Sequence, residues 1–166
     1  MNTSIENQRI VLAIDPSTRG FGFAILEGPQ SLLEWGVKEV RGKKNAGALK
    51  HVAELIQCYK PDVIVMEDCA DKYCRRGARV RRLIQDISKL ATGKRIKVVR
   101  ISARIVRAVL SGSPSAKKQQ IATTIAQQFP ELASRLPQLR KPWMSEDPRM
   151  GIFDAVALAL TFFSES

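Results

Sequence analysis

Three acidic residues interrupt otherwise apolar runs in this chain. Asp15 follows Arg9–Ile14 (RIVLAI), Glu67 follows Asp62–Met66 (DVIVM), and Asp154 sits inside IFDAVALAL. An ionised carboxylate in apolar surroundings is costly unless a positive group or a cation holds it. Each acid also has a blander reading. Asp15 precedes Pro16, Ser17, Thr18 and Gly20, so it can be a turn-capping residue. Asp154 can be a helix cap, although at least three helical residues precede it. Read together, Asp15, Glu67 and Asp154 are candidate metal ligands and catalytic residues. Carboxylate clusters with few histidines suit hard divalent cations, Mg²⁺ or Mn²⁺, and this chain has one histidine, His51.

The charge balance points to the substrate of such a site. The 166 residues carry 27 Lys and Arg against 16 Asp and Glu, a net charge of +11, and the pI is near 10.0. A basic surface of this size suits a polyanion. No basic amphipathic helix with an aromatic face stands out, which favours nucleic acid over membrane. Divalent ions plus a nucleic acid give phosphodiester hydrolysis. Two metals about 4 Å apart can activate a water, align it and stabilise the leaving 3′ oxygen.

The elements that must position these acids follow from periodicity. Arg9–Ile14 and Phe21–Leu26 read as a β-hairpin, and Ser31–Val40 as a third strand. Arg41–Gly47 reads as a basic loop, and Ala48–Tyr59 as an amphipathic helix stopped by Pro61. Asp62–Met66 is a fourth strand, reached through a helix and so expected to run parallel to its partner. The basic stretch Ala70–Arg82 leads into a helix that ends at Thr92-Gly93, and Ile96–Ile101 is a fifth strand. Ser102 can N-cap a helix over Ala103–Leu110. A helix with Ile121, Ile125 and Phe129 on one face follows, with Pro114 suited to its first turn. Pro130–Pro148 is loop-like, and Arg149–Phe163 is a helix apolar nearly all round.

The expected architecture is therefore α/β, a mixed five-stranded sheet with three antiparallel strands, then two parallel ones, and helices on its faces. This order matches the ribonuclease H-like architecture. It makes strands one and four neighbours, with Asp15 and Glu67 at the same end. Residues 1–8 read as a short polar tail and 9–166 as a single domain. No run is long enough to span a bilayer and no secretion signal precedes the first strand, so a cytoplasmic location is expected. Cys58, Cys69 and Cys74 form no zinc spacing and are expected as reduced thiols.

Four segments together resemble RuvC-type Holliday-junction resolvases. AIDPSTRGFGFAIL resembles their first motif and VIVMED their acidic second strand. SARIVRAVLSGSPSAKKQQI resembles their helix, small loop and lysine-opened helix, and FDAVALAL their last motif. The resemblance spans Arg9 to Phe163. It implies Mg²⁺-dependent symmetric nicking of four-way junctions by a homodimer, in DNA recombination and repair. It further implies that Asp15, Glu67 and Asp154 hold metal and that Lys118 contacts the scissile region.

The chain departs from that pattern twice. The family's fourth acid, one helical turn before the last, is replaced by Gly151. Glu146 and Asp147 lie upstream as possible substitutes, but seven residues along a helix is about 10 Å, too far to share an ion. The blander reading of Asp147 is an N-cap with Pro148 in the first turn. Secondly, Cys69 and Ala70 stand where the family carries an aromatic residue, and Tyr73 comes later, either to stack on a base or to pack locally. Lys72, Tyr73, Arg75, Arg76, Arg79 and Arg82, with Lys117 and Lys118, are the candidate nucleic-acid contacts. Lys43 and Lys44 read as solvated loop residues, and Trp35 and Trp143 as packing residues. The leading reading is an endonuclease for branched DNA. The alternatives are a non-cleaving nucleic-acid-binding module on the same fold, favoured by Gly151, and a nuclease for RNA–DNA hybrids or flaps.

Overall fold

Alternation along one strand lays out the whole molecule. In strand β1 (Ile10–Pro16), Val11 and Ala13 face one apolar layer while Leu12 and Ile14 face another. Successive side chains of a strand point to opposite faces, so a strand buried on both sides feeds two cores at once. A computed structural model describes residues 8–70, 72 and 74–166.

Strands β2 (Gly20–Glu27) and β3 (Leu32–Glu39) continue from β1 as an antiparallel meander. Helix α1 (Lys44–Tyr59) leads to β4 (Val63–Glu67), and α2 (Ala78–Gly93) leads to β5 (Lys97–Ile101). Both β4 and β5 run parallel to their neighbours, giving the order β3-β2-β1-β4-β5. This is the mixed sheet that the sequence predicts. Helices α1 and α2 cover one face. They bury Val52, Leu55, Ile56, Leu83, Ile84 and Ile87, spaced three and four apart. Helices α3 (Ala103–Ser111), α4 (Lys118–Gln128) and α5 (Met150–Glu165) cover the other. Ser102 caps α3 as expected, its Oγ accepting from the N–H of Ile105 at 3.3 Å. Helix α5 is central. Every residue from 152 to 163 is buried except Asp154, which explains why its sequence shows no polar stripe.

Several boundaries move. Helix α1 starts at Lys44 inside the expected loop, and the Lys44 ammonium donates to the carbonyl of Val40. Helix α2 starts only at Ala78, and α4 at Lys118 rather than near Pro114. A 3₁₀ turn covers Pro130–Arg135 within the expected loop. Trp35 packs against the α5-side core as predicted, whereas Trp143 is 78% exposed, because the segment carrying it lies outside both cores. The cysteines also differ from expectation. Cys69 and Cys74 form a disulfide, and Cys58 is free and exposed. Asp68 accepts from the N–H of Ala70 just past β4, turning the chain so that the two half-cystine Cα atoms come within 5.1 Å. No helix among the described residues is long and apolar enough to cross a membrane.

Candidate active site

The parity that sends Val11 and Ala13 toward α5 also sends Asp15 there. The same holds in β4 for Val63, Val65 and Glu67. Parallel pairing sets Val11 beside Val63 and Ala13 beside Val65, and two residues further that register sets Asp15 beside Glu67. Adjacent strands lie about 4.8 Å apart, so two carboxylates meet at the ends of neighbouring strands.

On the other side of Asp15 lies Gly22, its partner in the β1–β2 ladder. Gly22 lets α5 descend onto the sheet. A Cβ there would stand 2.3 Å from the carbonyl carbon of Gly151. At Gly151 a Cβ would stand 3.2 Å from the Cα of Gly22 and 3.5 Å from Asp15 Oδ2. The contact therefore brings the first turn of α5, and with it Asp154, down beside Asp15. A side chain at 151 would need Gly22 to give by a few tenths of an ångström.

Two basic side chains close the group. The Lys118 ammonium, at the start of α4, donates to Asp154 Oδ2 at 3.1 Å and to Glu146 Oε1 at 3.3 Å. The Arg76 guanidinium donates through Nη2 to Asp15 Oδ1 at 2.6 Å and through Nε to Glu67 Oε2 at 2.7 Å. Its Nη1 donates to the carbonyl of Pro16 at 2.8 Å.

The protonation equilibria follow from burial. Asp15 is 6% exposed. Burial, then the neighbouring Asp154, push its pKa up to about 7 despite Arg76 and Lys118. Asp154 is also raised, first by burial, with Lys118 opposing and Glu146 adding to the shift. For Lys118 burial disfavours the charge, but Asp154, Asp15 and Glu146 outweigh it and hold its pKa above the ordinary lysine value. Lys118 is therefore held in its charged form by these acids. Asp15 remains short of positive charge even with two cations nearby. Carboxylate oxygens such as those of Asp15, Asp154 and Glu67 are the donor type that suits a hard divalent ion. These three do not all lie within 4.8 Å of one another. Among the described residues the group that does is Glu67, Cys69 and Cys74, whose two cysteines are paired in a disulfide.

Asp15, Glu67, Asp154 and Lys118 line one cavity of about 1040 Å³. Its walls carry Lys72, Arg75, Arg76, Arg104 and Arg107. The structure thus brings the three predicted acids and Lys118 together, with Lys72 and Arg75 at the same cavity. Arg76 lies among the acids instead of on an open DNA-facing surface. Arg79 reaches the carbonyl of Thr18 at 3.0 Å and Asn45 Oδ1 at 3.1 Å, and does not line the cavity. Arg82 and Lys117 are exposed away from it. Tyr73 lies outside the described residues. Of the two substitute acids, Glu146 reaches Lys118. Asp147 instead accepts from the backbone N–H of Arg149 at 2.9 Å and pairs with its guanidinium at 2.7 Å. It forms the turn before α5 but is not the expected N-cap, a position that Arg149 takes with no side-chain cap bond. Arg104 and Arg107 are wall residues that the sequence reading passed over. Their spacing of three within a predicted helix was the available signal.

A five-stranded mixed sheet in the order β3-β2-β1-β4-β5, with helices on both faces, is the fold of RuvC and related resolvases. The RuvC structure from Thermus thermophilus matches 94% of this chain and 95% of its own, with a TM-score of 0.68 and 19% identity. The yeast mitochondrial Holliday junction resolvase Ydc2 matches 94% of this chain and 78% of its own, with a TM-score of 0.64 and 15% identity. Fowlpox virus resolvase, solved with its substrate Holliday junction DNA, matches 94% of this chain and 99% of its own, with a TM-score of 0.58 and 17% identity. No protein-family model matches the sequence, and no curated protein matches it. At these identities the likeness speaks for the fold.

Proposed function

We propose that this protein is a divalent-metal-dependent endonuclease that cuts branched DNA at four-way junctions. The observation that carries the proposal is the convergence of Asp15, Glu67, Asp154 and Lys118 on one cavity with basic walls. Solved structures similar to it include junction resolvases, two of them solved with junction DNA.

Cleavage forms a bond from a water oxygen to phosphorus and breaks the bond to the 3′ oxygen, leaving a 5′-phosphate and a 3′-hydroxyl. Asp15, Glu67 and Asp154 would hold Mg²⁺ or Mn²⁺, which would supply a water of lowered pKa and positive charge to offset that of the leaving oxygen. Lys118, fixed by Asp154, contacts the scissile phosphate as a point charge. Lys72, Arg75, Arg104 and Arg107 hold the flanking backbone, a salt-sensitive and sequence-independent contribution. A two-fold homodimer presents two such cavities to a symmetric junction.

The test is a panel of labelled four-way junction, flap, linear duplex and RNA–DNA hybrid, in Mg²⁺ and in Mn²⁺ at one salt concentration. The expected result is paired nicks in the junction, lost in Asp15→Asn. Junction that is bound but left intact in both metals overturns the reading. It would favour a non-cleaving binding module, for which Gly151 in place of an acid is the specific observation. Preferential cutting of flaps or hybrids would reassign the substrate and keep the chemistry.

A further inference from the structure

Arg76 is held too firmly among the acids to be a surface contact. All three of its nitrogens donate, to Asp15, Glu67 and the carbonyl of Pro16, at 2.6 to 2.8 Å. The backbone behind it is fixed as well. Arg81 donates to the carbonyls of Arg76 at 2.9 Å, Cys69 at 3.1 Å and Cys74 at 2.9 Å. The Cys69–Cys74 disulfide closes the same turn. A guanidinium offers five N–H donors in one plane and never loses its charge in a protein. Three donors are spent here, and two remain on Nη1 and Nη2 of a side chain that borders the cavity.

We propose that Arg76 is a resident cation of this site, standing in for one of two divalent ions, so that the chain binds a single divalent ion against Asp15 and Asp154. Charge balance supports this. Asp15, Glu67, Asp154 and the Glu146 that shares Lys118 bring four negative charges, and Arg76 and Lys118 bring two positive ones. One divalent ion neutralises the group. Two would leave it two charges positive in a site with two buried or half-buried acids, at an electrostatic cost. The chain also offers no fourth carboxylate on the first turn of α5, where Gly151 stands. Bridging two carboxylates in one plane is geometry that a guanidinium provides and an ammonium does not. The two spare N–H groups then face a phosphate oxygen, and Arg76 meets the charge that develops there without a second ion.

The ion count needs no DNA, while the role toward phosphate rests on the nuclease reading above. The experiment is a Mn²⁺ titration of the full chain, by calorimetry and by the electron paramagnetic resonance signal of unbound Mn²⁺. The wild type is expected to bind one ion per chain. Arg76→Lys keeps the charge and binds one, whereas Arg76→Gln admits a second ion between Asp15 and Glu67. Two ions in the wild type overturn the proposal. So does no ion at all, or an unchanged isotherm in a folded Arg76→Gln. If Arg76→Gln does not fold, Asp154→Asn decides. Loss of the single ion supports the proposal, and an ion retained on Asp15 and Glu67 overturns it. One bound ion without junction cleavage would sink the nuclease reading and leave the count standing. Two ions with cleavage would do the reverse.

Discussion

The two faces of the sheet are built from different residues and do different work. The face under α1 and α2 is made of large side chains: Leu12, Ile14, Phe21, Phe23, Ile25, Ile64 and Met66. The face under α5 carries Ala13, Ala24 and Gly22, small residues that let a helix lie close. Only the second face carries the acids. Bulk on one side provides burial, on the order of 25 cal/mol per Å² of apolar surface removed from water. Smallness on the other provides proximity between charged groups. The difference shows that the site depends on absent side chains as much as on those present.

The sharpest way to separate the faces is Asp15→Asn. It should abolish junction cleavage while keeping the fold. In chelator, Asp15 binds its proton more tightly folded than unfolded, with a pKa of about 7 against 3.8. It therefore draws down stability as pH rises from about 4 to about 7, above which the loss is complete. Relative to the wild type, the melting temperature of Asp15→Asn should climb across that window. Two parallel pH curves would refute the assignment. Phe21→Ala attacks the opposite face. It should cost about 3–5 kcal/mol in denaturant unfolding and leave the Mn²⁺ affinity of the folded fraction unchanged. Gly22→Ala should cost less, about 1–3 kcal/mol, yet weaken Mn²⁺ binding, because α5 must back away from Asp15. If Phe21→Ala lost metal and Gly22→Ala kept it, the division between faces would fail. The smallest effect belongs to Trp143→Ala. Trp143 is 78% exposed, and the Lys141 ammonium lies 5.3 Å from its ring centroid. Stability should move by less than about 0.5 kcal/mol. Junction affinity should fall by about 1 kcal/mol in a binding titration if its ring stacks on a base.

Much of this was legible in the sequence, for identifiable reasons. Strands β1, β2 and β4 are runs of β-branched and aliphatic residues, and a doubly buried strand cannot be written otherwise. Asp15, Glu67 and Asp154 showed because each breaks such a run. The destination of Arg76 was not legible. It lies among Arg75, Arg79, Arg81 and Arg82, which composition cannot tell apart. Irregular turns position their side chains through carbonyls, as Arg81 does here, and carbonyls leave no trace in residue identity. The Cys69–Cys74 pairing depends on the same turn. Trp143 misled because a large aromatic is usually interior. Gly151 read as a missing acid, and only the approach of β2 shows that the position is a contact surface.

Strand parity makes the acid cluster and the hydrophobic core a single reading frame. Deleting or inserting one residue within Val11–Ile14 would swing Asp15 among Phe21, Phe23 and Met66, and would turn Leu12 and Ile14 toward α5 at the same stroke. A frame error there cannot yield a stable but inert protein; it dismantles both at once. Point substitution, by contrast, can remove one acid and leave the frame untouched.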